Sequence, residues 1–485
     1  MLFPLTGIKI IAPSLVAVDE PFSIGVKLLT YPHYVGKGCY QSLPSLVGRY
    51  NENARGIRYM DNALPNFKGT IAVEESEGLC GPKQISFAQG SGPYPGDTRP
   101  IRRIEGFSFT SPGTKYITLT EPESGLKGTS NPIRVVQDSP SERLYWGDLH
   151  CHTFLTDGLR CPEELYTFGR EEAFLDFMAL ADHSESLSER QWEYLCAVTN
   201  DMNIPHHFVT LLALEWTSPR WGHRNIYYPG SQGAFARYTD PQYSSLEQIY
   251  QLAHDYGALV VPHHSANAEM GVNWSLGYDP EVERLVEIYS VWGNSERPAS
   301  AGNPRPILTN GGEVPGQHVI DALQMGRHYG IIASGDIHDG RPGDELHRYQ
   351  DRPPHYRLLR RQGLVGVWAQ ELTREAIFKA LWNRQTFGTT NIRLFLRFSI
   401  ARQIMGSQVH AQGKLPLIAD VASEVPIARI DLVCQGQDVQ SIEPRQHKVV
   451  WETQVEISSP SWYYIRVLCQ NGEMGWSSPI WVTPD

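Results

Sequence analysis

Several things are scarce in this sequence, and each scarcity removes a class of protein. Basic residues are too few for a nucleic-acid or anionic-membrane footprint. Lys and Arg number 42 against 53 Asp and Glu, a formal net charge of −11, whereas such surfaces need concentrated positive charge. No stretch reaches the roughly 18 uninterrupted apolar residues of a membrane-spanning helix, and Met1 to Ile11 has no basic segment of the kind that opens a secretory leader. The seven cysteines (Cys39, Cys80, Cys151, Cys161, Cys196, Cys434 and Cys469) are odd in number, scattered and never spaced C-x-x-C. That argues against a disulfide framework or a zinc knuckle and for a reducing, cytoplasmic compartment. Also missing, in any suitable strand–helix context, are a G-x-S-x-G elbow, a phosphate-binding P-loop and a dinucleotide G-x-G-x-x-G. Metal chemistry is what remains for catalysis.

What is present is organised in three textures. With 485 residues, two or three domains are expected. Residues 1–140 are rich in Gly, Pro, Ser and Thr with short alternating runs such as Phe22 to Leu29, a β-sandwich texture. Residues 393–485 return to it, with β-rich runs at Ile427 to Val433, Val449 to Ile457 and Trp462 to Leu468. Between them, 141–392 alternates short apolar runs with amphipathic helical segments: Pro162 to Ala173, Leu246 to Tyr256 stopped by Gly257, Val319 to Tyr329, and Thr373 to Arg384. Such alternation predicts an α/β fold of parallel strands and helical crossovers, a barrel being the leading form.

The chemistry sits where those strands end. Leu144 to Leu149 runs into His150 and His152, with Asp157 close behind. Phe177 to Ala181 runs into Asp182 and His183, and Phe208 to Leu214 into Glu215, followed by His223. Ala258 to Val261 leads to His263 and His264, and Ile331 to Ser334 to Asp336 and His338. The C-terminal end of parallel strands is the face that carries active sites, so these residues should converge. In H-x-H and D-x-H on extended backbone, positions i and i+2 point the same way. Of the 17 histidines, His33, His206, His207, His254, His318, His328, His347, His355, His410 and His447 read as ordinary surface or core residues. Cys151 reads as a buried thiol facing away from its two neighbours. Asp148 and Asp182 read as acceptors that orient imidazoles, with strand-end capping the alternative; for Glu287 a structural or supporting role fits as well as direct ligation.

These motifs resemble the signature of the PHP (polymerase and histidinol phosphatase) superfamily. They are D-L-H-C-H-T-F-L-T-D-G at Asp148 to Gly158, A-L-A-D-H at Ala179 to His183, Glu215, V-P-H-H at Val261 to His264, and S-G-D-I-H at Ser334 to His338. W-G-D-L-H, E-W-T-S, G-H-R-N and T-R-E-A-I-F-K-A-L are similar to a poorly characterised bacterial branch with flanking β-rich domains. The resemblance implies a distorted (β/α)7 barrel, flanked here by N-terminal and C-terminal β-sandwich-like domains, that holds two or three divalent ions (Zn, Mn or Fe). One ion would take His150, His152, Glu215 and Asp336. A second would share Glu215 and add His223 with one of His263 and His264, motif order favouring His263. A third would take Asp157, His183 and His338, and Asp157, His183, Glu215 and His338 form the expected catalytic subset.

Three carboxylates facing two or three divalent ions leave the loaded centre net positive, which suits a small anionic substrate. Hydrolysis of a phosphate ester by an activated water is therefore the expected function, with Arg224 and Arg341 either adding anion contacts or serving as ordinary arginines. The alternatives are metal-dependent hydrolysis of an amide, sulfate ester or lactone, and a noncatalytic binding protein that uses Trp462, Tyr463, Tyr464, Trp476 and Trp481. The flanking domains are expected to support the barrel, narrow access to the site or form a homo-oligomer interface.

Overall fold

The computed structural model describes residues 3–35, 59–88, 91–94, 96–346 and 360–484. Cys39, His347 and His355 lie outside them. Among the described residues no helix is long and apolar enough to cross a membrane.

The N-terminal part is built from three antiparallel or mixed sheets of short strands around one apolar core. Its long strand, Phe22–Val35, shows how the residues are used. Ile24, Val26 and Leu28 point inward with no exposure, the period of two that a strand imposes. The opposite face is buried as well, against the central part of the chain. There Gly25 leaves room for the Phe174 ring, which would lie 2.3 Å from any Cβ at that position, and Lys27 is fully covered.

The central part carries the ligand-bearing strands. Arg143–Asp148, Phe177–Leu180 and Val209–Ser218 run parallel and side by side, joined through helices Pro162–Glu171 and Glu189–Asp201. Proline opens the first helix, and Ser188 caps the second in a reciprocal box with Gln191, local chemistry that starts helices where the sequence says. Leu246–Tyr256 likewise has Ser245 as its cap and stops at Gly257 with φ 63°. Val319–Gln324 is shorter than its sequence pattern, which ran on to Tyr329. Gly326 adopts φ 84° just beyond it, a left-handed turn that ends a helix.

Two departures from a purely parallel reading matter for the site. Val209–Ser218 does not stop at Leu214; it continues through Glu215 and turns back as an antiparallel hairpin into Gly222–Tyr228. That strand pairs antiparallel with Leu259–Pro262, so Leu259–Pro262 again points the same way as Val209–Ser218. Leu285–Ser290 pairs with Gly293–Asn294 and, in parallel, with Gly330–Ala333 in a separate three-stranded sheet.

On the other edge, Arg143–Asp148 pairs antiparallel with Leu364–Ala369, then Thr386–Thr389, then Met474–Ser477. The sheet therefore continues without a break into the C-terminal strands Ser461–Cys469 and Gly413–Cys434. The five tail aromatics are buried there: Trp476 donates to Glu296 at 2.9 Å and Tyr464 to the same carboxylate at 2.5 Å. They are core, which removes the aromatic surface that a binding-module reading would need.

Candidate metal centre

Backbone bonds draw the strand ends together before any side chain is considered. Cys151 forms a parallel bridge with Ile337, and His152 N–H donates to the Ile337 carbonyl at 3.0 Å. H-C-H and D-I-H therefore lie side by side. Ala181 N–H donates to Cys151 O and Glu215 N–H to Asp182 O, both at 3.0 Å. His264 and Asp336 hold φ of 33° and 50°. Non-glycine residues adopt this left-handed region at a cost of order 1–3 kcal/mol, and it is found repeatedly at functional sites.

All ten sequence-predicted ligands meet in this space, in four overlapping groups whose donor atoms lie within 4.8 Å of one another. One group is His152, Asp157, His183 and His338; another is Glu215, His223, His263 and His264. The remaining two are His150, His152 and Glu215, and His150, His263 and Asp336. Glu215 is the hub. Its Oε1 faces His223 Nδ1 at 2.7 Å and His263 Nε2 at 3.2 Å, while its Oε2 faces His183 Nδ1 at 3.1 Å and His152 Nε2 at 3.4 Å. Asp157 Oδ2 lies 3.3 Å from His338 and 3.5 Å from His183. The grouping differs from the sequence expectation in three respects: His152 joins the Asp157 set, both His263 and His264 stand with Glu215, and Asp336 groups with His150 and His263 rather than with His152 and Glu215.

Burial is graded across the cluster. The side chains of His150, His152 and His263 have no exposure, while Asp157 at 29% and His338 at 22% face the opening. A cavity of about 800 Å³ begins there, walled by His183, His223, His264, Tyr238 and Trp292 among others. The Trp292 ring stands 6.3 Å from the rings of both His264 and His338, nearly perpendicular to each. Tyr238 lies in a loop without a pattern, and no signal in the sequence pointed to it.

The electrostatics set imidazoles and carboxylates against burial. Burial opposes charge at His150, but the carboxylates of Asp336 and Glu287 outweigh it and hold the imidazole well above its ordinary value. His183 is held up in the same way, against burial, by Glu215 and Asp157. Burial, reinforced by the neighbouring imidazoles, pushes His152 and His263 down to about 4. Inside the cluster, His150 Nε2, His152 Nδ1, Asp157 Oδ1, His263 Nδ1 and His264 Nδ1 are buried without a hydrogen-bond partner. Buried polar atoms normally have one. Imidazole nitrogens and carboxylate oxygens left open at these spacings could hold divalent metal ions.

For other residues the structure separates the alternatives. Asp148 and Asp182 touch no imidazole; they accept from backbone and polar side chains at the strand ends, the capping alternative. Asp148 accepts from Gly335 N–H at 2.7 Å and from Gln362 Nε2 at 2.9 Å, and Asp182 accepts from Thr153 N–H and Oγ1, each at 2.8 Å. The carboxylate that does touch an imidazole is Glu287, at 3.2 Å from His150 Nδ1. Arg224 and Arg341 are both fully buried away from the cavity. Arg224 pairs with Glu283 at 3.2 Å, and Arg341 pairs with Asp344 at 2.8 Å. Cys151 is buried, and burial with the adjacent Asp148 charge pushes its thiol well up, the inert state expected of it.

Comparison with known proteins gives a consistent but unspecific setting. A family model described as a protein of unknown function (DUF3604) matches residues 327–422. An uncharacterised protein of Chlamydia pneumoniae is 27% identical over 397 residues, covering 77% of this chain and 63% of that protein. One from Chlamydia trachomatis is 26% identical over 398 residues with the same coverage. The chain thus spans 63% of the length of these relatives. Among solved structures, it is similar to a two-domain protein of Bacteroides vulgatus containing a predicted PHP-like metal-dependent phosphoesterase. The TM-score there is 0.36 and the identity 12%, over 72% of this chain and 97% of that one.

Proposed function

We propose that this protein is a metal-dependent hydrolase of phosphate esters, its centre lying at the strand ends of a distorted (β/α)7 barrel. The observation that carries the proposal is the convergence of ten His, Asp and Glu side chains into four overlapping ligand groups beside an open cavity. Divalent ions held by these residues would supply Lewis-acid polarisation of a phosphoryl oxygen and a water of lowered pKa, about 7 in favourable cases. Glu215, with one oxygen toward His223 and His263 and the other toward His152 and His183, holds neighbouring sites in register. Asp157, His183 and His338, which face the opening, would hold the ion that meets the substrate. Trp292 and Tyr238 wall the cavity against bulk water and receive the organic part of the substrate.

A second reading is favoured by one feature of the cavity. Among its described lining residues there is no Lys or Arg, so recognition of an anion falls on the metals alone. A neutral amide or lactone would suit the same wall. Elemental mass spectrometry on the purified chain should find two or three equivalents of zinc, manganese or iron. The reloaded protein should then hydrolyse phosphomonoesters in preference to matched amides and lactones. Less than one equivalent after reconstitution with each ion would sink the metal reading. Metal with lactonase or amidase activity, but no turnover of phosphate esters, would select the second.

A further inference from the structure

Glu287 belongs to none of the four ligand groups, yet it is 1% exposed in the middle of strand Leu285–Ser290. The pairing of that strand with Gly330–Ala333 slips immediately after it, between Glu287 and Tyr289. Its Oε2 meets His150 Nδ1 at 3.2 Å, and its Oε1 has no partner. A carboxylate so placed requires the proton of the neutral imidazole to sit on Nδ1. The lone pair is then on Nε2, which lies 3.5 Å from Glu215 and 3.6 Å from Asp336 and has no hydrogen-bond partner. We infer that Glu287 is a positioning residue that fixes the tautomer and ring orientation of His150, so that Nε2 is presented to a metal. Carboxylate partners of this kind raise the basicity of a ligating imidazole and typically contribute 10- to 100-fold to metal affinity.

The inference rests on the metal-centre reading, and the test separates the two. The full-length chain, stripped and titrated with Zn²⁺ against a competing chelator, is compared with Glu287→Gln and Glu287→Leu. Glu287→Gln keeps an acceptor oxygen but not the charge, and should weaken one zinc by about 10-fold; Glu287→Leu should approach 100-fold. Both replace an incompletely paired buried carboxylate, so the metal-free midpoint of unfolding should hold or rise while zinc affinity falls. A purely structural role would lower both. In the cobalt-loaded chain the visible absorption band should shift in both variants. Zinc affinity within about threefold of wild type in both, or a loss matched by a lowered metal-free midpoint, would overturn the role of Glu287. Wild-type protein that binds no zinc would instead overturn the centre itself.

Discussion

Two of the buried clusters of charged side chains in this protein are satisfied in opposite ways. Where the N-terminal sheets meet the central part, Lys27 pairs with Asp344 at 2.9 Å and lies 3.7 Å from Glu172. Lys9 and Arg341 reach the same Asp344 at 2.8 Å each. Arg99 spans Asp61, Asp97 and Glu172 at 2.8–2.9 Å. Among the described residues of that network, no carboxylate oxygen is buried without a partner. In the His–carboxylate cluster, several nitrogens and oxygens are buried with none. The first arrangement is what a fold requires of buried charge. The second leaves imidazole and carboxylate atoms free to hold divalent ions.

The comparison can be broken most severely at the centre. Replacing His150 and His152 together by Ala should abolish turnover and remove at least one equivalent of metal, while the metal-free protein unfolds at an unchanged or higher urea concentration. Loss of metal-free stability would show that the histidines serve the fold as the ion network does.

The converse experiment is Asp344→Asn. Lys27 and Lys9 would lose their shared carboxylate, and removing one partner of a buried pair costs about 3–5 kcal/mol. Urea denaturation of the metal-free chain reads this directly; a change below about 1 kcal/mol, the range of exposed pairs, would show that the network is wetter than its burial implies.

Acid should separate the two clusters most gently. Burial opposes charge on Asp344, but Lys27, Lys9 and Arg341 hold its carboxyl well below the ordinary range, and Asp61 is depressed in the same manner by Lys27, Arg341 and Arg99. A depressed folded pKa means stability that is present above the unfolded value of about 4 and is lost as pH falls through the folded one. The network should therefore survive to well under pH 4. His150 and His183, with raised values, bind protons that a metal must displace. Zinc affinity should thus decline between pH 8 and 6 while circular dichroism stays constant. Parallel loss of both signals would couple the clusters.

The residues that converge at the candidate site were legible because their pattern is local: a short apolar run that ends in H-x-H or D-x-H declares both the strand and what it delivers. The helix Leu246–Tyr256, stopped by Gly257, was legible for the same reason, whereas Glu189–Asp201 was not among the expected segments. The fate of Arg224 was not legible, since its partner Glu283 lies 59 residues away, and Arg341 adds to its near partner Asp344 the carboxylate of Asp61, 280 residues away. Nor was the hairpin at Ser218–Gly222, because E-W-T-S continues a strand as readily as it ends one. Glu287 was ambiguous for a related reason. In a run buried on every side, nothing marks which neighbour a lone carboxylate will find.

The unbroken hydrogen-bonding from Arg143–Asp148 out to the last strands bears on how the molecule can be cut. A truncation after residue 392 would strip Met474–Ser477 from Thr386–Thr389 and leave its backbone donors and acceptors open. Raw edges of this kind recruit strands from other molecules. The tail therefore acts as a selvedge for the central sheet, and a shortened chain would be more prone to self-association than to independent folding.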